Sequence, residues 1–112
     1  MASKTKAETV KRALQRLNIV SASENPNAQD ADLVGGIYDV LRLELQDSGI
    51  AGVEANVVPL NMFEGMAALL AGRSAGDFGL MDRAMSLEAE GWRRVNAASS
   101  IYSGHSAELN TY

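Results

Sequence analysis

Residues 72–76 read Gly-Arg-Ser-Ala-Gly, the Gly-x-Ser-x-Gly spacing of a serine hydrolase's nucleophile elbow, and Asp77, Asp82 and His105 follow in the order that such a triad uses. The elbow works because a strained turn from strand to helix lifts the serine over a parallel sheet, where nearby amides build the oxyanion hole. Here an apolar helical run precedes Ser74, no strand is predicted before it, and nothing in the pattern holds His105 against its hydroxyl. The stretch reads instead as a glycine-rich loop that breaks a helix. Asp77-Phe78-Gly79 copies the magnesium triplet of protein kinases without the glycine-rich loop, lysine and catalytic-loop partners that give it meaning. Glu88 and Glu90, two apart on a predicted helix, point to different faces and read as solvated or ion-paired carboxylates. The single histidine, His105, builds no metal cluster, and no Asp/Glu spacing resembles a calcium loop. Cysteine is absent, which excludes disulfides and thiolate chemistry and fits a reducing compartment. The expectation is a protein without catalytic residues, metal or cofactor.

The elements that carry these residues are helical. A chain of 112 residues, 46% apolar, suffices for one domain with a modest core, and its few β-branched runs point to an all-α fold. Thr5-Lys6-Ala7-Glu8 is a capping box, and Val10, Ala13, Leu14 and Leu17 continue at helical spacing, predicting a first helix from about Lys6 to Asn18. Asn25 or Asn27 caps a second helix with Asp30 and Asp32 near its positive end. Val34, Ile37, Leu41 and Leu45 line one face of it, with Tyr38 beside them, and Gly49 ends it. Residues 50–59 suit an extended connection or one small strand; Pro59 then opens a third helix, apolar nearly all round and so the most buried. A fourth, from about Leu80 to Ala98, sets Met81, Ala84, Met85, Glu88, Trp92 and Val95 at three-to-four spacing. The pairs Met62/Met66 and Met81/Met85 are expected to face each other as adaptable core packing. The reading is a compact bundle of about four helices over residues 1–98, followed by a flexible C-terminal tail over 99–112. The longest apolar stretch, around Met66 to Ala71, is far short of a membrane span, and the first residues lack a signal-peptide apolar region, so no membrane is expected as a partner.

Charge is distributed unevenly. Residues 1–20 carry a net +4, residues 21–54 carry −6 with Arg42 as their one base, and the whole chain is −4. A basic first helix before an acidic second one suits pairing within the fold or head-to-tail pairing between identical subunits. Base-specific DNA readout by a helix-turn-helix is disfavoured, because the connections are long and helices 2 and 4 carry acids freely. Helix 1 alone has the charge to touch phosphate, against the acidic balance of the whole.

Lys4-Thr5-Lys6 leading into a helix of pattern V-x-x-A-L-x-x-L-x-I, an Asn/Asp-rich loop and an acidic helix ending Gln46-Asp47-Ser48-Gly49-Ile50 resembles the start of the head-to-tail connector (adaptor) proteins of tailed bacteriophages, in particular the tail accessory factors of short-tailed phages. The resemblance covers roughly residues 3–80 by pattern and is sharp over Lys4–Val20 and Gln46–Ile50; where family members often carry aromatics near the end of helix 2, this chain has Leu43-Glu44-Leu45. It implies a structural adaptor of the virion, assembled in the host cytoplasm as a ring, commonly of about twelve copies, beneath the portal protein and above a tail or nozzle protein. Genomic DNA passes through such a ring without specific binding, which an acidic lumen favours. The segment holding Ile101, Tyr102, Leu109 and Tyr112 is then the portal-docking grip, and Lys4, Lys6, Lys11, Arg12, Asp39 and Glu44 are the charges expected between subunits. The alternative from the residues themselves is a small helical interaction or regulatory protein, possibly contacting nucleic acid through helix 1.

Overall fold

The computed structural model describes the backbone of residues 2–110 and the side chains of residues 2–99. The chain forms an all-α bundle: α1 (Lys6–Arg16), α2 (Ala28–Asp47), α3 (Leu60–Ser74) and α4 (Ala84–Asn110), with two short 3₁₀ turns, Ala75–Phe78 and Met81–Arg83, between the last two helices. A two-residue ribbon accompanies them, in which β1 (Ser3–Lys4) pairs antiparallel with β2 (Val58–Pro59). The extended run near Pro59 was readable; its partner at the N-terminus was not, because the pairing joins residues more than fifty positions apart.

Local chemistry sets the helix ends. At Thr5 the full capping box forms: its hydroxyl accepts from the Glu8 amide at 3.1 Å, and the Glu8 carboxylate accepts from the Thr5 amide at 3.0 Å. Asn27 caps α2 by accepting from the Asp30 amide at 2.8 Å. Both helices close with the same motif. After α1, Asn18 takes φ 60° while Ile19 donates to Leu14; after α2, Gly49 takes φ 83° while Ile50 donates to Leu45. In each case an orphan carbonyl is satisfied and an apolar residue is turned back toward the bundle. A further first-turn amide of α1 is met from a distance, where Asn56 Oδ1 accepts from the Lys6 amide at 3.1 Å.

The core is drawn from all four helices: Val10, Ala13, Leu14 and Leu17 from α1, Val34, Tyr38, Leu41 and Leu45 from α2, Met62, Met66, Leu69 and Leu70 from α3, and Leu87 and Val95 from α4. As expected, α3 is the most buried helix. It lies so close to α4 that glycine is required at the crossing. A Cβ added at Gly91 would sit 2.5 Å from the Leu69 amide nitrogen, and one at Gly72 would sit 2.9 Å from the Glu88 amide nitrogen.

That crossing corrects two expectations. Gly72, Arg73 and Ser74 are the last turn of α3 rather than part of the breaking loop, which begins with the 3₁₀ turn at Ala75. And the buried stripe of α4 is Ala84, Leu87, Gly91, Val95 and Ala98: of the expected stripe Ala84 and Val95 are buried and Trp92 packs against the core, while Met81 and Met85 turn outward. Met62 and Met66 are core, whereas Met81 and Met85 are 69% and 82% exposed. The reason is the register of the close crossing, in which Gly91 of α4 abuts Leu69 while Gly72 of α3 abuts Glu88. Leu87 and Val95 lie one turn either side of Gly91, while Met85, six residues earlier, is rotated about 120° away.

Candidate interaction surface

Ser74, the residue with the most suggestive motif, is buried, and its hydroxyl donates to the Leu70 carbonyl one helical turn back at 2.7 Å. It sits at the end of a helix, not on a strand-to-helix elbow. His105 and the tail residues Ile101, Tyr102 and Leu109 fall on the stretch of α4 whose side chains lie outside the described residues, and Tyr112 lies outside them altogether. Among the described residues no three His, Cys, Asp or Glu side chains come together as a metal site, and no helix is long and apolar enough to cross a membrane.

The charges expected between subunits each find a partner inside the chain. Lys6 Nζ lies 3.0 Å from Asp39 and 5.7 Å from the Tyr38 ring, and Lys4 Nζ lies 3.6 Å from Glu8 and over Phe63. Lys11 reaches the Asn25 side-chain oxygen at 3.3 Å. Arg12 meets Glu64 of α3 at 3.1 Å, and Arg16 meets Glu90 of α4 at 2.6 Å, with Arg94 closing on the other oxygen of Glu90. On the far side of α3, Arg73 bridges Glu44 of α2 at 2.7 Å and Glu88 of α4 at 2.5 Å. Of the two readings of the charge asymmetry, pairing within the fold is therefore the one realised by these side chains, although mainly between α1 and the acids of α3 and α4 rather than α2. The pair of carboxylates Glu88 and Glu90 is split between two separate ion-pair clusters on different sides of α4.

These clusters perturb their own members. The hydrogen bond from Arg16 holds the Glu90 carboxyl below its ordinary range, against the opposing effect of partial burial. The Tyr38 phenol is pushed up to about 12, chiefly by burial, and its hydroxyl donates to the Glu54 carbonyl at 2.6 Å.

The surface also carries exposed apolar side chains. On α2, Leu33, Val40 and Leu43 are 40%, 58% and 49% exposed, and helical spacing places them on one face around Gly36, where an added Cβ would meet nothing within 4 Å. This face is opposite in character to the buried Val34-Tyr38-Leu41-Leu45 side of the same helix. A second exposed apolar set, Met81 and Met85, stands at the entry to α4. Sequence reading missed the first set because it took the core stripe of α2 as the whole of the helix's apolar content; the extra leucines and valine were its available signal. A cleft of about 600 Å³ also opens between α1 and α2 around the Lys6–Asp39 pair, where Gly35 lets the lysine's aliphatic chain approach the helix.

No family model, no curated protein and no solved structure matches this chain.

Proposed function

We propose that the chain is a structural adaptor between the head and tail of a tailed bacteriophage, a subunit of a ring that docks beneath the portal protein and extends the channel through which DNA leaves. The resemblance of Lys4–Val20 and Gln46–Ile50 to such adaptors motivates the reading. The observation that carries it is the exposure of apolar side chains at separate places on the surface, among them Leu33, Val40 and Leu43 on α2 and Met81 and Met85 at the entry to α4, with Val57 and Leu60 exposed where α3 begins. A closed ring needs heterologous contacts, one surface of each subunit against a different surface of the next, and separate apolar sets supply them. Complementary charge is a weaker support than the sequence alone suggested, because Lys6, Arg12, Asp39 and Glu44 already have partners in their own chain. The same pairing weakens the alternative of phosphate contact through α1, whose Arg12 and Arg16 are held by carboxylates.

The test is the mass in solution by light scattering, for the protein alone and mixed with the portal protein of the same phage. A subunit that joins the portal as a stoichiometric ring is the expected result. A mass indifferent to portal, together with steeply salt-dependent binding to duplex DNA, would overturn the adaptor in favour of a nucleic-acid-associated role.

A further inference from the structure

Arg42 is the only base between residues 21 and 54, a segment that holds seven acids, yet it pairs with none of them. Its Nε is inaccessible to solvent and has no hydrogen-bond partner among the described residues. A guanidinium donor withdrawn from water without an acceptor is costly, and in folded proteins such donors are almost always met. Arg42 lines an open cleft of about 490 Å³ with Gln46, Ile50, Val53 and Glu54, between the second half of α2 and the loop that follows it. The loop is fixed against the helix: Ile50 donates back to Leu45 at 2.9 Å, Glu54 donates to Val57 at 2.8 Å, and Tyr38, one turn before Arg42, donates to the Glu54 carbonyl at 2.6 Å. The amides of Ala51, Gly52 and Val53, between those tethers, have no backbone acceptor among the described residues.

We infer that this cleft is a binding site for a single carboxylate carried on a short apolar stem, with Arg42 as its anchor. The two terminal guanidinium nitrogens, which unlike Nε are not sealed from solvent and have no hydrogen-bond partner among the described residues, match a carboxylate's two oxygens. Ile50 and Val53, both buried, give the cleft its apolar wall. Of the lining residues only Arg42 and Glu54 are charged, so the site is near neutral in sum, which one negative charge tolerates and a dianionic phosphate or a nucleic-acid backbone does not. The carboxylate can belong to a free acid or to an acidic side chain of a second copy; the chemistry is the same. The inference does not depend on the adaptor reading.

The experiment is a titration of the ¹⁵N-labelled whole chain with hexanoate, and separately with inorganic phosphate at matched ionic strength, following the Arg42 Nε–Hε resonance and the amides of Gly52 and Val53. Hexanoate should give saturable shifts at all three, and phosphate weaker ones. Arg42→Gln should weaken hexanoate at least about tenfold, and Arg42→Lys, which keeps the charge without the fork, should fall between. Glu54→Gln should tighten it about twofold to fivefold, and because only the Glu54 backbone holds Tyr38, this variant keeps the fold even if Arg42→Gln does not. A shift of the same resonance that grows with protein concentration and is reversed by hexanoate would identify a second copy as the source of the carboxylate. Phosphate binding as tightly as hexanoate would overturn the carboxylate assignment, and the absence of any saturable shift at Arg42 would overturn the site.

Discussion

The approach of α3 to α4 can be tested with one methyl group. In Gly91→Ala the new Cβ stands 2.5 Å from the Leu69 amide nitrogen, 2.6 Å from Leu69 Cγ and 2.9 Å from the Gly65 carbonyl oxygen. Ordinary contact begins near 3.5 Å, so the overlap is about an ångström, and two of its three partners are backbone atoms that cannot rotate away. The helices must separate, and overpacking of this kind costs about 1–3 kcal/mol. Against it stands the helix propensity of alanine over glycine, a gain of about 1 kcal/mol. Gly36→Ala supplies the control, because Gly36 is also inside a helix but its added Cβ would meet nothing within 4 Å. It should therefore gain most of that propensity term. The two variants share the local effect and differ only in the tertiary contact, so urea unfolding at equal m-value should raise the midpoint for Gly36→Ala and lower it for Gly91→Ala, with a separation of about 1–3 kcal/mol. Equal midpoints for the two would refute the close crossing, and with it the explanation of why Met85 faces outward.

Other perturbations follow from the same packing. The Tyr38 phenol is raised in the folded chain from 10.0 to about 12, so the stability it contributes is complete below pH 10 and is lost as the pH rises toward 12, by about 2–3 kcal/mol at most; Tyr38→Phe should remove that alkaline loss and cost about 1 kcal/mol at neutral pH through the missing bond to Glu54, both readable by denaturant titration across pH. Glu90 is lowered, so its contribution is present above its unfolded value of 4.5 and is lost as the pH falls through the folded one; Glu90→Gln should flatten the acid limb of the stability curve and cost about 1 kcal/mol at pH 7 by freeing Arg16. Thr5→Ala should cost about 1 kcal/mol by removing the cap of α1, seen as a lower thermal midpoint. Val40→Lys, on the exposed face of α2, should leave stability within about 0.5 kcal/mol while abolishing assembly on the portal by light scattering; unimpaired assembly would remove that face from the proposed subunit contact.

The parts of this protein that its sequence determined are the local ones. Thr5 with Glu8, Asn27 with Asp30, and Gly49 each act within a few residues of themselves, so the beginnings of α1 and α2 and the end of α2 were readable from residue type alone. The apolar saturation of α3 likewise announced its burial. Tertiary structure decided the matters in which spacing leaves two answers. Along α4, Met81 and Met85 share helical spacing with Ala84 and Val95 just as Leu87 does, and the close crossing at Gly91 and Leu69 selects Leu87 and leaves the methionines in solvent. Glycine at position 72 carries the same local signal whether it ends a helix or admits a neighbouring one, and the proximity of Glu88 makes it the latter. Charge totals showed a basic helix and an acidic one without naming partners, because Arg12, Arg16 and Arg73 each choose among several acids that the fold brings near from distant positions. The unpaired state of Arg42 was hidden for the same reason: a cation among seven acids looks neutralised in one dimension, and only the fold shows that it forms an ion pair with none of them.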